Sequence, residues 1–287
     1  MKVLIFGSNG LLGQNLLAHT PLNFSCIGAG IEEICYVPEV TKYVQVDIRI
    51  KEELQSFISK SRPDWIINAA AMTNVDLCEK ETAQCALLNR DAVGWMAEMG
   101  IPMVHISTDY IFNGENGPYI EDDVVDPLGV YGKIKWESEP LVLNANPQSL
   151  IVRTMLLWGK GNKIRPSFVQ FIKSNLEIGK QVNIVTDQIG NPTLASDLAE
   201  AIWKLVDKSC SGVYHVCGSE LLSRYAWAVK TADYYGLDAS YINPILTADL
   251  KQAADRPLKS GFIMDKLTQD IGFEPKNVIE QLKEVEK

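Results

Sequence analysis

Residues 7–13 read Gly7-Ser8-Asn9-Gly10-Leu11-Leu12-Gly13, a G-x-x-G-x-x-G run set between the apolar stretch Val3–Phe6 and a helical pattern from Leu11 to His19. A short buried strand that ends in a glycine turn and feeds a helix is the opening of a βαβ unit. Gly7 permits the tight turn, Gly10 lets the backbone approach a pyrophosphate, and Gly13 lets the helix pack closely on the sheet. Unpaired N–H groups and the positive dipole at the helix start then favour a phosphate. The turn predicts a dinucleotide site, with Asn9, Leu11 and Leu12 beside the three glycines.

The rhythm continues downstream. Phe24–Ile27, Tyr43–Val46, Trp65–Asn68, Met103–Ile106 and Leu150–Val152 read as strands. Between them, Lys51–Lys60, a long stretch from Thr82 to Met99, and Val130–Leu143 read as helices, the second stopped by Gly100 and Pro102. Strands alternating with helices specify an α/β, Rossmann-type, doubly wound parallel sheet. Beyond it, Ser167–Leu176 and Ser196–Val206 read as helices, and Val182–Val185 and Val213–Val216 as strands. The C-terminal remainder mixes helices and loops without that rhythm. The expected division is a dinucleotide-binding domain over residues 1–154, with 190–217 returning to it. Residues 155–189 and 218–287 would form a smaller mixed α/β substrate lobe.

A net charge of -9 argues against nucleic acid as the main partner, because phosphate backbones call for a basic surface. No apolar run approaches a membrane span, and the stretch before Gly7 is too short for a signal-peptide core. The six cysteines include no C-x-x-C pair, so a cytoplasmic protein with reduced thiols is the simplest reading. With three histidines a multi-histidine metal site is not expected, and no metal is assigned. His105, inside an apolar run, reads as a strand residue packed in the sheet.

Cofactor choice rests on the end of the second strand, where an acidic residue would hold a ribose 2′-OH and an Arg a 2′-phosphate. Ile27-Gly28-Ala29-Gly30-Ile31 offers neither, and Glu32 and Glu33 read as solvated surface. NADPH or NADH fits, with NADPH placed slightly ahead. Asp47 and Ile48, after the third strand, are expected at the adenine edge.

Tyr131-Gly132-Lys133-Ile134-Lys135 is the chain's Y-x-x-x-K. At i and i+4 on one helix the two side chains share a face. An isolated phenol has a pKa of about 10, too high for a proton shuttle near neutrality. A neighbouring ammonium favours the phenolate and would bring Tyr131 toward the working range. Lys135 would also hold the nicotinamide ribose, and Thr108, ending the fifth strand, would orient a carbonyl oxygen.

With these motifs the chain resembles the extended short-chain dehydrogenase/reductase superfamily, and within it the dTDP-4-dehydrorhamnose reductases. The blocks that carry the resemblance run through the whole chain. They are the glycine turn, Asn68-Ala69-Ala70-Ala71 with Thr73 and Val75-Asp76, and Ser107-Thr108-Asp109-Tyr110-Ile111-Phe112-Asn113-Gly114. Asp126-Pro127-Leu128-Gly129-Val130-Tyr131-Gly132-Lys133 with Lys135 follows, then Arg153-Thr154, Gly190-Asn191-Pro192-Thr193, and Arg256-Pro257 with Ser260.

The resemblance implies reduction of the 4-keto group of a nucleotide-linked deoxysugar, with Thr108, Tyr131 and Lys135 as the catalytic set. It implies that Ala69, Ala70 and Ala71 line the cofactor. Tyr110 and the turn carrying Asn191 and Thr193 would approach the sugar nucleotide, Arg256 would meet its diphosphate, and a homodimer is compatible. Leu156 departs from the family, standing where its members usually carry a Trp near the sugar, and Lys160–Pro166 is more basic than their usual segment. Two other readings stand beside the first. One is a nucleotide-sugar epimerase or dehydratase, against which Tyr110 occupies the place of a dehydratase Glu. The other is a non-catalytic regulatory subunit like the β-subunits of methionine adenosyltransferase.

Overall fold

The computed structural model describes residues 1–37 and 42–286. In its first half β1 (Lys2–Phe6), α1 (Leu11–Ala18), β2 (Ser25–Gly30), β3 (Tyr43–Gln45), α2 (Lys51–Ser61) and β4 (Trp65–Asn68) follow one another. Three short helices come next, α3 (Val75–Lys80), α4 (Thr82–Ala86) and α5 (Ala92–Ala97), then β5 (Met103–Thr108), α6 (Val130–Ala145) and β6 (Leu150–Thr154). The rest comprises β7 (Leu157–Trp158), α7 (Phe168–Glu177), β8 (Val182–Val185), β9 (Ile189–Gly190), β10 (Thr193–Leu194), α8 (Ala195–Asp207) and β11 (Gly212–His215). The last elements are β12 (Leu222–Ser223), α9 (Arg224–Tyr235), β13 (Ile242–Ile245), α10 (Asp265–Ile271) and α11 (Val278–Glu286).

Seven strands form one sheet in the order β11-β6-β5-β4-β1-β2-β3, and every pairing is parallel. The chain leaves β1 toward β2 on one side and returns to β4 on the other. The carboxyl ends of β1 and β4 thus flank the topological switch point, where open α/β sheets bind ligands.

The sequence builds both faces by alternation within one apolar run. Val3 and Ile5 join Leu16 of α1 and Leu198 and Ile202 of α8 in one core. Leu4 and Phe6 join Leu54 and Ile58 of α2 and Val93 and Met96 of α5 in the other. A strand covered on both faces must be apolar throughout, which is why β1 reads as an unbroken run. Each fully buried aliphatic side chain contributes about 1.5–3 kcal/mol.

A separate apolar cluster lies off the main sheet, uniting Ile172 and Leu176 of α7, Val182 and Ile184 of β8, Ala228 and Ala232 of α9, and Ile242 of β13. Strand β13, parallel to β8, falls where the sequence offered no strand rhythm. The expected long helix from Thr82 to Met99 is also modified. Its middle, Leu87–Asp91, winds as a π-turn between α4 and α5, a feature frequent near functional sites.

Candidate active site

The glycine turn meets the end of β4 at close quarters. Gly7 has φ +72°, and a Cβ there would lie 2.6 Å from the Ala70 nitrogen and 2.7 Å from the Ala69 carbonyl carbon. Only glycine permits both the left-handed backbone and the contact. Helix α1 starts at Gly10 without a side-chain cap among the described residues, so its first N–H groups at Leu11, Leu12 and Gly13 face the turn. These features fit a dinucleotide pyrophosphate.

Several expected cofactor contacts are differently employed. The Asn9 side chain is taken up by the chain itself, donating to the Ile34 carbonyl at 2.9 Å and accepting from Tyr36 N–H at 2.8 Å. It clasps the segment after β2 onto the turn, while the Asn9 carbonyl accepts from Gln14 Nε2 at 2.7 Å. Asp47 is held by a two-pronged Arg49 guanidinium, with Nη2 at 2.6 Å. Ile48 is buried in the core under the sheet. Glu32 departs from the surface role expected of it, because its carboxylate folds back to accept from Asn9 Nδ2 at 3.2 Å, at the end of β2. Ala69 and Ala70 are half-buried beside Gly7, and Ala71 is exposed.

Asn89 was not expected at the site. Set on the π-turn and buried, it donates to the Met72 carbonyl and accepts from the Met72 N–H at 2.8 Å. It fixes the loop after Ala71 from below. The sequence signal for it is slight, a lone Asn inside an apolar helical pattern.

At the end of β5, the Thr108 side chain caps a one-turn 3-10 helix, Asp109–Ile111, by accepting from Tyr110 N–H at 3.2 Å. Helix α6 is pressed against that turn. A Cβ on Gly132 would lie 2.0 Å from the Tyr110 carbonyl oxygen, so glycine is what lets α6 approach. The approach buries Tyr131 edge-on to Tyr110, ring centroids 5.7 Å apart. Glu79 of α3 accepts from the first N–H of α6, Val130, at 2.8 Å and fixes its entry.

Burial pushes the Tyr131 phenol above its ordinary value, and a hydrogen bond with the Thr108 side chain pulls it partly back. Lys135 Nζ is turned to His105 Nε2 at 3.0 Å. Burial lowers its ammonium to about 7, against an opposing pull from Glu139 and Cys85. The expected lowering of Tyr131 by Lys135 is therefore absent from this arrangement, because the lysine points to the histidine. Glu139 is itself committed to a buried pair with Arg153 at 2.8 Å and accepts from Ser107 Oγ at 2.6 Å.

Asp109, raised above the usual carboxylate range by burial, accepts from Ser260 Oγ at 2.6 Å. That bond ties the Arg256–Ser260 loop to the end of β5. Arg256 is already paired, at 2.7 Å from Asp76 and 2.6 Å from the Ala254 carbonyl. A second guanidinium, Arg224 at the start of α9, was missed by sequence reasoning. It lies over Phe168 and Trp227, without a carboxylate partner among the described residues, and is lowered by burial while Tyr110, Asp109 and Arg256 act on its charge.

Asn191 and Thr193 are turned inward. Both are buried, Asn191 donating to the Gly218 carbonyl and accepting from Phe262 N–H, and Thr193 donating back to the Asn191 carbonyl. Their polar groups join the C-terminal segments to one another.

The family described as "RmlD substrate binding domain" matches residues 1–287. The chain belongs to this family. It is 33% identical over 288 residues to the spore coat polysaccharide biosynthesis protein SpsK of Bacillus subtilis, covering 99% of this chain and 96% of that one. It is 32% identical over 304 residues to dTDP-4-dehydrorhamnose reductase of Aggregatibacter actinomycetemcomitans, covering 99% and 98%. The solved dTDP-4-dehydrorhamnose reductase of Bacillus anthracis in complex with NADP superposes with a TM-score of 0.85 at 29% identity, covering 99% and 98%. Methionine adenosyltransferase 2 subunit beta of Rattus norvegicus is 30% identical over 277 residues, covering 93% and 81%. The expected extended short-chain dehydrogenase/reductase fold and family are thereby established, and an NAD(P)-dependent oxidoreductase is the kind of protein to which this RmlD-family chain is related. No helix of the described residues is long and apolar enough to cross a membrane.

Proposed function

We propose that the chain reduces the 4-keto group of a nucleotide-linked deoxysugar, dTDP-4-dehydrorhamnose foremost, at the carboxyl end of β5 beside the start of α6. The observation that carries this reading is the hydrogen bond between the buried Tyr131 and Thr108 side chains at the carboxyl end of β5, with Lys135 buried one helical turn further along α6. A bound NAD(P)H supplies the hydride. Gly7, Leu11, Leu12 and the Ala69–Ala70 backbone would hold it. Thr108 orients the keto oxygen, and the Tyr131 hydroxyl gives that oxygen its proton as carbon–hydrogen bonding proceeds. A phenol raised by burial starts in its protonated form, as a donor must.

Arg224 and Arg256 flank Tyr110 and would hold the diphosphate, Arg256 through the N–H groups that Asp76 and Ala254 leave free. For the cofactor, Glu32 at the end of β2 shifts the proposal from NADPH toward NADH, since a carboxylate there suits a ribose 2′-OH and repels a 2′-phosphate. Residues 155–189 and 218–287 serve as the substrate lobe, and the free thiols suit work in the cytosol. The catalytic trio supports a reductase over a regulatory subunit, and Tyr110 beside Asp109 supports it over a dehydratase. Incubation with dTDP-4-dehydrorhamnose should consume reduced nicotinamide one-for-one with dTDP-rhamnose formed. Unchanged sugar after prolonged incubation with NADH and NADPH would overturn the proposal.

A further inference from the structure

Lys135, the one lysine buried to 1% exposure, has a single side-chain partner among the described residues, His105. The ring of His105 is also buried, and its two nitrogens are assigned by their neighbours. Asn68 Oδ1 accepts from Ala70 N–H at 3.2 Å, so the amide's Nδ2 faces His105 Nδ1, at 3.4 Å, as a donor. Nδ1 therefore accepts, and the ring proton sits on Nε2. Ser138 Oγ gives its own proton to the Lys135 carbonyl at 2.6 Å and can only accept from Nε2–H, 2.9 Å away. Lys135 Nζ, 3.0 Å from the same Nε2, thus faces a donor. An ammonium has no lone pair to offer it, whereas a neutral amine has one.

From this pattern we infer that His105, oriented by Asn68, is a positioning residue that holds Lys135 as a neutral amine at rest, and that nicotinamide-nucleotide binding draws one proton from solvent onto it. The inference rests on the reading of Lys135 as a ribose ligand. To donate to ribose hydroxyls and to face a developing phenolate, Lys135 must leave its place on Nε2 and become an ammonium. The amine takes the proton with its lone pair, and no other bond changes.

The surrounding charges agree. Glu139, on the same helix, is committed to Arg153 of β6 and Ser107 of β5, and forms no hydrogen bond to Lys135 among the described residues. Cys85 of α4, the other group acting on Lys135, has its thiol raised by burial and is neutral. Burial holds the Lys135 ammonium at about 7 and keeps the His105 ring neutral far below its ordinary value. Asn68 also links the lysine to the cofactor site, because its other contact is the backbone of Ala70.

The test is calorimetric titration with NADH, which lacks a titrating 2′-phosphate, in two buffers of different ionisation enthalpy. At pH 8 the native chain should take up about 0.9 proton per NADH bound, since about a tenth of the free lysine is already charged one unit above its pKa. At pH 6 the uptake should fall to about a tenth of a proton. His105→Gln, whose amide oxygen accepts from an ammonium, should cut the uptake at pH 8 by at least about half while still binding NADH. Asn68→Asp, which forces the ring proton onto Nδ1, should do the same by a separate route. Lys135→Met should abolish the uptake. An uptake unchanged in His105→Gln and Asn68→Asp, retained in Lys135→Met, or absent from the native chain at pH 8 would overturn the inference alone. No NADH binding by the native chain would instead overturn the nicotinamide reading beneath it.

Discussion

Gly132→Ala tests how α6 brings Tyr131 to Thr108. The added methyl would sit 2.0 Å from the Tyr110 carbonyl oxygen, far inside an ordinary contact. Relieving it requires α6 or the 109–111 turn to retreat by about 1 Å, the kind of overpacking that costs about 1–3 kcal/mol. Alanine's better helix propensity returns about 1 kcal/mol, so the net effect is a loss of about 1 kcal/mol, or about 2 °C in Tm. Activity should suffer more, because a displacement of about 1 Å at a reacting group costs about 100-fold in kcat. The matched control is Gly94→Ala in α5, where a Cβ finds its nearest neighbour, Leu141 Cδ1, at 3.4 Å. That change should raise stability by about 0.5–1 kcal/mol and leave kcat alone. Thermal melts and steady-state reductase kinetics on both variants give the comparison. A Gly132→Ala protein with native kcat and a higher Tm would refute the packing argument.

Four further outcomes follow from the same geometry. Glu139→Ala should destabilise the fold by about 3–5 kcal/mol, read by urea unfolding, because it strands the buried Arg153 guanidinium. Arg224→Ala should raise KM for the nucleotide sugar about tenfold or more, through loss of a charge-assisted contact, with the Kd for NADH unchanged; an unaltered KM would remove Arg224 from the diphosphate site. Glu32→Gln should lower the preference for NADH over NADPH about tenfold in kcat/KM ratios. Stability should also fall in acid. His215, held neutral by burial with a pKa near 3, and His105, also depressed, bind protons more readily when unfolded. Their contribution is intact above about pH 6.5 and is lost below it, by about 1.4 kcal/mol per pH unit for each ring, until His215 titrates in the fold at about 3. Denaturant midpoints that stay flat from pH 7 to 4 would contradict the neutral, buried rings.

The sheet was legible because its signals are local. The β1 run, the glycine turn and the alternating helices each report their own surroundings, and the Y-x-x-x-K spacing reports the face that Tyr131 and Lys135 share. What the sequence did not disclose depends on distant partners. Asn191 and Thr193 look like a polar binding turn, but Gly218 and Phe262 take up the Asn191 side chain and Thr193 donates to the Asn191 carbonyl. Glu32 looks solvated until Asn9 draws it to the turn. His105 does pack in the sheet as expected, yet its ring nitrogen faces Lys135 across 30 residues of chain. Strand β13 was missed because Pro244 and the polar Asn243 interrupt its apolar pattern, while its partner β8 lies 60 residues upstream.

The central claim is that Tyr131 protonates the keto oxygen of a nucleotide sugar while reduced nicotinamide is consumed. The most direct measurement sets Tyr131→Phe beside the native chain, with dTDP-4-dehydrorhamnose and NADH, following turnover and NADH binding together. The native chain should turn over, and the variant should show a kcat lower by about 1,000-fold with the Kd for NADH within about threefold. Undiminished turnover by Tyr131→Phe would contradict that claim.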